Sequence, residues 1–140
     1  MATTGNQLES LHGHNYAVSI DVEGDLTADS WVWDFGDLQK VALAIISKLD
    51  HRFMLQERSK SLKFETSGDR VVITSGSLRY EFPRSDVVVL PIDNTTAERL
   101  AEWITDGVCE RFRAESHEFH QIRVGVEESP GRTGWYTLNV

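Results

Sequence analysis

The chain has 140 residues and a mass of 15.9 kDa, the size of one ordinary domain. Hydrophobic residues make up 40% and charged residues 26%, which excludes a disordered tail, and no apolar run approaches the roughly 20 residues of a membrane span. The net charge of -8 excludes nucleic acid as the main partner, because phosphate binding needs clustered cations. A single cysteine excludes an internal disulfide and predicts a reducing, cytoplasmic location, and the N-terminus has no signal-peptide pattern.

The first predicted element is a strand from about His12 to Glu23. Apolar residues recur there with a period of two, at Tyr16, Val18, Ile20 and Val22. Asp34 then precedes an amphipathic helix of about three turns. Its apolar positions are Leu38, Val41, Ala42, Ile45, Ile46 and Leu49.

The stretch from Phe53 to Leu90 is rich in short β-like runs separated by turns, which predicts an inserted hairpin or small meander. A second helix begins near Asn94, where Thr95 and Glu98 match a capping box. Its apolar stripe consists of Leu100, Ala101, Ile104, Val108 and Phe112, and two strands joined by a Ser-Pro-Gly-Arg turn follow it. Such a turn requires antiparallel strands, so the sequence predicts a single α+β domain over residues 1–140.

His12 and His14 are the first candidates for chemistry. In a strand they would point to one face and could share a divalent metal such as zinc. The competing interpretation is a pair of hydrogen-bonded histidines at a strand end. A catalytic zinc usually has three protein ligands, and the remaining histidines are His51, His117 and His120.

Carboxylates supply the other candidates. Asp50 beside His51 could orient the imidazole as a general acid–base unit, or simply end the first helix. Glu98 is explained by capping. Glu127 and Glu128 are either solvated side chains at a strand end, or one of them binds the amidine-like edge of a ligand ring through two parallel hydrogen bonds.

Five segments in this order resemble a known family. They are Leu11-His12-Gly13-His14-Asn15-Tyr16, Trp33-Asp34-Phe35-Gly36-Asp37-Leu38, Leu49-Asp50-His51, Asn94-Thr95-Thr96-Ala97-Glu98 and Val126-Glu127-Glu128-Ser129-Pro130. The set resembles the 6-pyruvoyl-tetrahydropterin synthase and 6-carboxytetrahydropterin synthase family, from about Leu11 to Tyr136.

The resemblance implies a tunnelling fold: an antiparallel sheet with two helices on one face, assembled with other copies into a barrel as a trimer or hexamer. It implies a zinc-dependent lyase acting on 7,8-dihydroneopterin triphosphate, with zinc held partly by His12 and His14. Asp50 and His51 would transfer protons. Glu128 would anchor the pterin ring, and Thr96 and Glu98 would line the pocket.

The sequence departs from the family pattern near its beginning. The sequence lacks the family's first strand, which carries a third zinc histidine, and the catalytic cysteine is replaced by the stretch Gln7-Leu8-Glu9-Ser10, in which the hypothesis is that Glu9 would act as a substitute base. Two alternatives follow: a non-catalytic relative that binds a pterin or a partner, and another purine- or pterin-processing enzyme on the same scaffold.

Overall fold

The computed structural model of the chain describes residues 1–5, 7–115 and 118–140. Within them the strands are β1 (Thr3–Thr4), β2 (Gln7–Leu8), β3 (Ala17–Glu23), β4 (Phe53–Gln56), β5 (Lys63–Ser67), β6 (Arg70–Ser75), β7 (Leu78–Pro83), β8 (Val87–Leu90), β9 (Gln121–Ser129) and β10 (Arg132–Asn139). The helices are α1 (Phe35–Ile46) and α2 (Ala97–Ala114), and a 3-10 turn covers Arg84–Asp86.

The chain divides into two compact units. Unit 1 comprises Met1–Gly13 and Lys48–Thr95, and unit 2 comprises His14–Ser47 and Thr96–Val140. None of the helices in the described part of the chain is long and apolar enough to cross a membrane.

Unit 1 contains the predicted meander. Strands β5, β6 and β7 form an antiparallel sheet, and Gly68 and Gly76 occupy its two turns at φ values of 59° and 57°. Such turns need a left-handed conformation that glycine adopts without steric cost, which explains the Gly in each turn. The core of the unit is built from Leu55, Leu62, Val71 and Ile73.

The parallel pairing of β4 with β8 was not predicted. Phe53 pairs with Val87, and the ladder runs on to Gln56 and Leu90. The stretch from Phe53 to Leu90 is therefore more than a meander, because its first and last strands close it with a parallel ladder of their own.

Unit 2 is a three-stranded antiparallel sheet in the order β10-β9-β3, and α2 packs on β9 and β10. The predicted stripe of α2 is entirely buried, and α1 packs against α2, with Ile45 close to Gly107. Phe112, which is fully buried, contacts the rings of Trp33 and Phe119 at centroid distances of 3.7 and 4.8 Å. The α+β class and the antiparallel final strands are confirmed.

Two boundary predictions were wrong. The first core strand begins at Ala17, so His12 and His14 precede it and the same-face argument for them does not apply. Helix α1 begins after the predicted cap, Asp34, whose carboxylate accepts a hydrogen bond from the Asp37 amide. It ends at Ile46, however, because the chain turns from Ser47 onward, so the pair at positions 50 and 51 lies beyond the helix.

Candidate functional site

The N-terminal part of unit 1 brings Glu9 and His12 together. The ring of His12 lies with Nδ1 2.7 Å from the Ser10 carbonyl oxygen. Because a carbonyl only accepts, Nδ1 donates in this contact, and the second ring nitrogen is Nε2. That nitrogen is 3.9 Å from Glu9 Oε2. An imidazole fixed through Nδ1 in this way is a common form of a metal-binding histidine.

His14 opens unit 2 and is half-buried. Its ring meets the edge of Tyr16 at a centroid distance of 5.6 Å and an interplanar angle of 64°. The aromatic contact restricts the orientation of the imidazole. The structure therefore supports His14 as an oriented side chain, held by packing and not by a position in a strand.

Asp50 and His51 contact each other on the turn that follows α1. Their atoms Oδ1 and Nδ1 are 2.9 Å apart, and both side chains are exposed. His51 has a φ of 55°, a left-handed conformation that costs an L residue about 1 kcal/mol. Residues with a strained backbone are frequent at functional sites. The strain costs stability, so the surrounding structure must hold the residue in that conformation.

The first turn of α2 carries Thr96 and Glu98. The capping-box prediction was wrong by one residue: Thr96 is the N-cap, and its hydroxyl accepts a hydrogen bond from the Arg99 amide at 3.4 Å. Glu98 is therefore an exposed side chain in the first turn with no capping role to explain it.

The neighbouring Thr95 was assigned only a cap by sequence reasoning, and the structure gives it a different environment. It is buried, and its hydroxyl has no hydrogen-bond partner among the described residues. A buried hydroxyl without a partner is costly, so Thr95 differs from Thr96, whose hydroxyl caps α2. No sequence signal distinguishes Thr95 from Thr96.

Glu128 occupies a β-bulge near the end of β9. Glu127 pairs with Thr133 and Ser129 pairs with Arg132, so Glu128 is the extra residue between two ladder pairs. The carboxylate of Glu127 accepts a hydrogen bond from the Thr133 hydroxyl at 3.2 Å. Bulges redirect a side chain away from the regular alternation of a strand, so the half-buried Glu128 is aimed independently of its neighbours.

His117 and His120 are the two candidate histidines near the end of α2. His120 Nε2 is 3.3 Å from Asp25 Oδ2, and His117 lies outside the described residues. Within residues 1–5, 7–115 and 118–140, no group of three His, Cys, Asp or Glu side chains is arranged to hold a metal ion. Cys109 is buried within α2, and that burial raises the pKa of its thiol, so it is a core residue and not a nucleophile.

The fold and these residues define an α+β protein with two helices, antiparallel sheets and paired histidine–carboxylate groups. Comparison with known proteins then identifies the family. The profile described as 6-pyruvoyl tetrahydropterin synthase matches residues 2–139. The chain belongs to that family.

Three relatives are informative. A putative 6-carboxy-5,6,7,8-tetrahydropterin synthase of Pyrococcus abyssi is 33% identical over 130 residues, covering 93% of this chain and 76% of the relative. A dihydroneopterin monophosphate aldolase of Pyrococcus furiosus is 41% identical over 44 residues, covering 31% of this chain and 38% of the relative. The structure of a Plasmodium vivax 6-pyruvoyltetrahydropterin synthase with a catalytic glutamate replaced by alanine matches with a TM-score of 0.92 and 28% identity, covering 99% of this chain and 88% of that one.

Proposed function

We propose that this protein is a zinc-dependent lyase acting on 7,8-dihydroneopterin triphosphate. The observation that carries the proposal is membership of the pterin synthase family over residues 2–139. The reaction removes a proton from the substrate side chain and expels triphosphate, whose oxygen takes the electron pair of the broken carbon–oxygen bond.

The proposed metal donors are His12 and His14. The hydrogen bond from Nδ1 of His12 to the Ser10 carbonyl fixes the orientation of the ring, as in many metal-binding histidines. When bound, zinc would polarise the side-chain oxygens of the substrate and so acidify the neighbouring protons. The third ligand is left unassigned.

Proton transfer is assigned to Glu9 together with Asp50 and His51. Support for Glu9 comes from its place beside His12 and from the Plasmodium vivax relative, in which a glutamate is catalytic. Asp50 orients His51 through the 2.9 Å contact. Glu128 would hold the amino group and ring nitrogen of the pterin through two parallel hydrogen bonds, with Thr96 and Glu98 lining the same pocket.

A homo-oligomer, a trimer or hexamer built through the sheets into a barrel, is part of the proposal. Among the described strands, β3 and β10 are the two edges of the unit 2 sheet. An uncovered edge offers backbone groups to another copy. The exposure of Asp50 and His51 in the single chain also fits a site that a neighbouring subunit covers.

Carbon–carbon cleavage of the side chain is the second candidate. It is favoured by the stretch of 44 residues that is 41% identical to a dihydroneopterin monophosphate aldolase. In that reaction the phosphate stays on the released fragment, so free triphosphate would not form from the triphosphate substrate.

The test is turnover by zinc-loaded protein with both products measured. Triphosphate release supports the lyase, and a shortened pterin without triphosphate release supports cleavage. Asp50→Asn should lower either rate strongly, whereas the matched control Asp25→Asn, which breaks the similarly exposed pair with His120, should leave it unchanged. Pterin binding without turnover, abolished by Glu128→Ala, would contradict both and support a non-catalytic relative.

A further inference from the structure

We propose that Asn94 is a positioning residue that holds Glu9 in place through the N-terminal hairpin. Asn94 binds the backbone of Thr3 twice: its Nδ2 donates to the Thr3 carbonyl and its Oδ1 accepts from the Thr3 amide, both at 2.9 Å. The side-chain amide thus replaces a neighbouring strand for β1, giving it the two hydrogen bonds that a ladder partner would give.

Asn94 is itself fixed to unit 1. Its Oδ1 also accepts from the Thr95 amide at 3.0 Å, which locks the side chain to its own backbone. The segment just before it is tied to the chain after β4, because the Glu57 amide donates to the Leu90 carbonyl and the Arg58 amide to the Ile92 carbonyl. The attachment point therefore rests on the parallel ladder and not on a loose loop.

The hairpin carries this attachment to Glu9. Thr3 pairs with Leu8 across β1 and β2, and the Glu9 amide donates to the Ala2 carbonyl at 3.1 Å. Leu8 packs against the core cluster of unit 1. A second side chain, the buried Gln56, donates to the Met1 carbonyl at 2.9 Å. Glu9 therefore follows directly on a hairpin whose first strand and preceding residues are held by two side chains.

A hairpin with two residues in each strand is too short to be stable alone. It needs the external bonds, and Asn94 supplies two of them. The inference rests on the proposed role of Glu9 as the base. A catalytic base must lie at a defined point, so its rate depends on the hydrogen bonds that hold the hairpin in place. A displacement of about 1 Å in a catalytic group can cost on the order of 100-fold in rate.

The first experiment compares three variants of the full chain. Asn94→Ala removes all three bonds, whereas Asn94→Asp keeps an acceptor for the Thr3 and Thr95 amides but loses the donor to the Thr3 carbonyl and places a charged oxygen against it. Ser59→Ala is the matched control, because the Ser59 hydroxyl accepts from the Ser61 and Leu62 amides at 3.2 Å elsewhere in unit 1.

Two measurements are made on each. Amide hydrogen exchange at Thr3 and Glu9 should quicken about tenfold or more in both Asn94 variants and stay unchanged in Ser59→Ala. The kcat should fall about 10- to 100-fold in the Asn94 variants with little change in KM, and by less than about twofold in the control. Unchanged exchange in a folded Asn94 variant overturns the inference, as does a loss of kcat in Ser59→Ala equal to that in Asn94→Ala.

A double-mutant cycle with Glu9→Gln separates the inference from the proposed function. If Asn94 acts through Glu9, Asn94→Ala should lower kcat in the native background and have almost no further effect beside Glu9→Gln. A fully active Glu9→Gln protein refutes the role of Glu9 itself. Two outcomes refute only the positioning role. Either Glu9→Gln loses kcat while Asn94→Ala keeps it, or the losses of kcat are additive in the double variant.

Discussion

Gly134 lies where the first turn of α2 meets β10, and replacing it with alanine tests how closely the helix is seated. A Cβ at this position would lie 2.6 Å from the Glu98 backbone nitrogen and 2.7 Å from the Ala97 Cβ. The obstacle is helix backbone, so the clash cannot be relieved by turning a side chain. Overpacking of this kind costs about 1–3 kcal/mol, offset by about 0.5–1 kcal/mol from the reduced entropy of the unfolded chain.

Gly125 provides the matched control on the neighbouring strand. Its added Cβ would meet the Trp135 ring at 2.7 Å, but that ring is 40% exposed and can swing away. The swing would sacrifice the Arg123 guanidinium contact, now 3.9 Å from the ring centroid and worth about 0.5–1 kcal/mol. That loss roughly cancels the entropic gain, so Gly125→Ala should be close to neutral.

Urea and thermal unfolding measure both variants. Gly134→Ala should lower the free energy of unfolding by about 1–2 kcal/mol and the melting temperature by roughly 3–8 °C, with little change for Gly125→Ala. Because the shift moves Glu98, a raised KM for the pterin substrate is also expected. Equal stability of Gly134→Ala and the native protein, or a larger loss in Gly125→Ala, would refute the argument that helix backbone is the rigid obstacle.

Three further predictions concern α2. Burial and the neighbouring Glu102 and Glu110 raise the pKa of Asp106, so its carboxylate opposes folding. Asp106→Asn should raise the free energy of unfolding by up to about 0.5 kcal/mol at pH 7. In urea titrations this gain should vanish as acid protonates Asp106, and a gain that persists at low pH would count against it. Iodoacetamide should modify Cys109 only as the protein unfolds, so rapid labelling of folded protein would disprove its burial. Phe112→Ala should cost about 3–5 kcal/mol in urea unfolding, and a loss under 1 kcal/mol would contradict the packing described.

The elements with a strong apolar period could be predicted from the sequence. The alternation at Val18, Ile20 and Val22 places β3 correctly, because its inner face is half-buried and its outer face is exposed. The same period continues back through Tyr16 and His14, where no ladder forms. Periodicity records which side chains alternate, but the end of a strand is decided by the partner that pairs with it.

Features that depend on contacts distant in sequence could not be predicted. Thr96 caps α2, and the Thr95 amide, which Glu98 would bind in a capping box, donates to the side chain of Asn94, which is in turn fixed to Thr3. The bulge at Glu128 arises from a shift of one residue between two strands, and its sequence looks like any strand end. The sequence supplies the candidate residues of the site as a prediction, whereas the contacts that orient their side chains depend on residues distant in the chain and could not be predicted.

The path of the backbone between the two units has a consequence for synthesis. The chain leaves unit 1 after residue 13, returns at residue 48 and departs again after residue 95. On the ribosome, unit 1 is complete while the nascent chain still lacks β9 and β10. Strand β3 is synthesised early, but β9, its ladder partner in the described structure, is synthesised only after α2. An apolar strand without its partner is prone to aggregation, so we expect chaperones to act between the synthesis of β3 and that of β9.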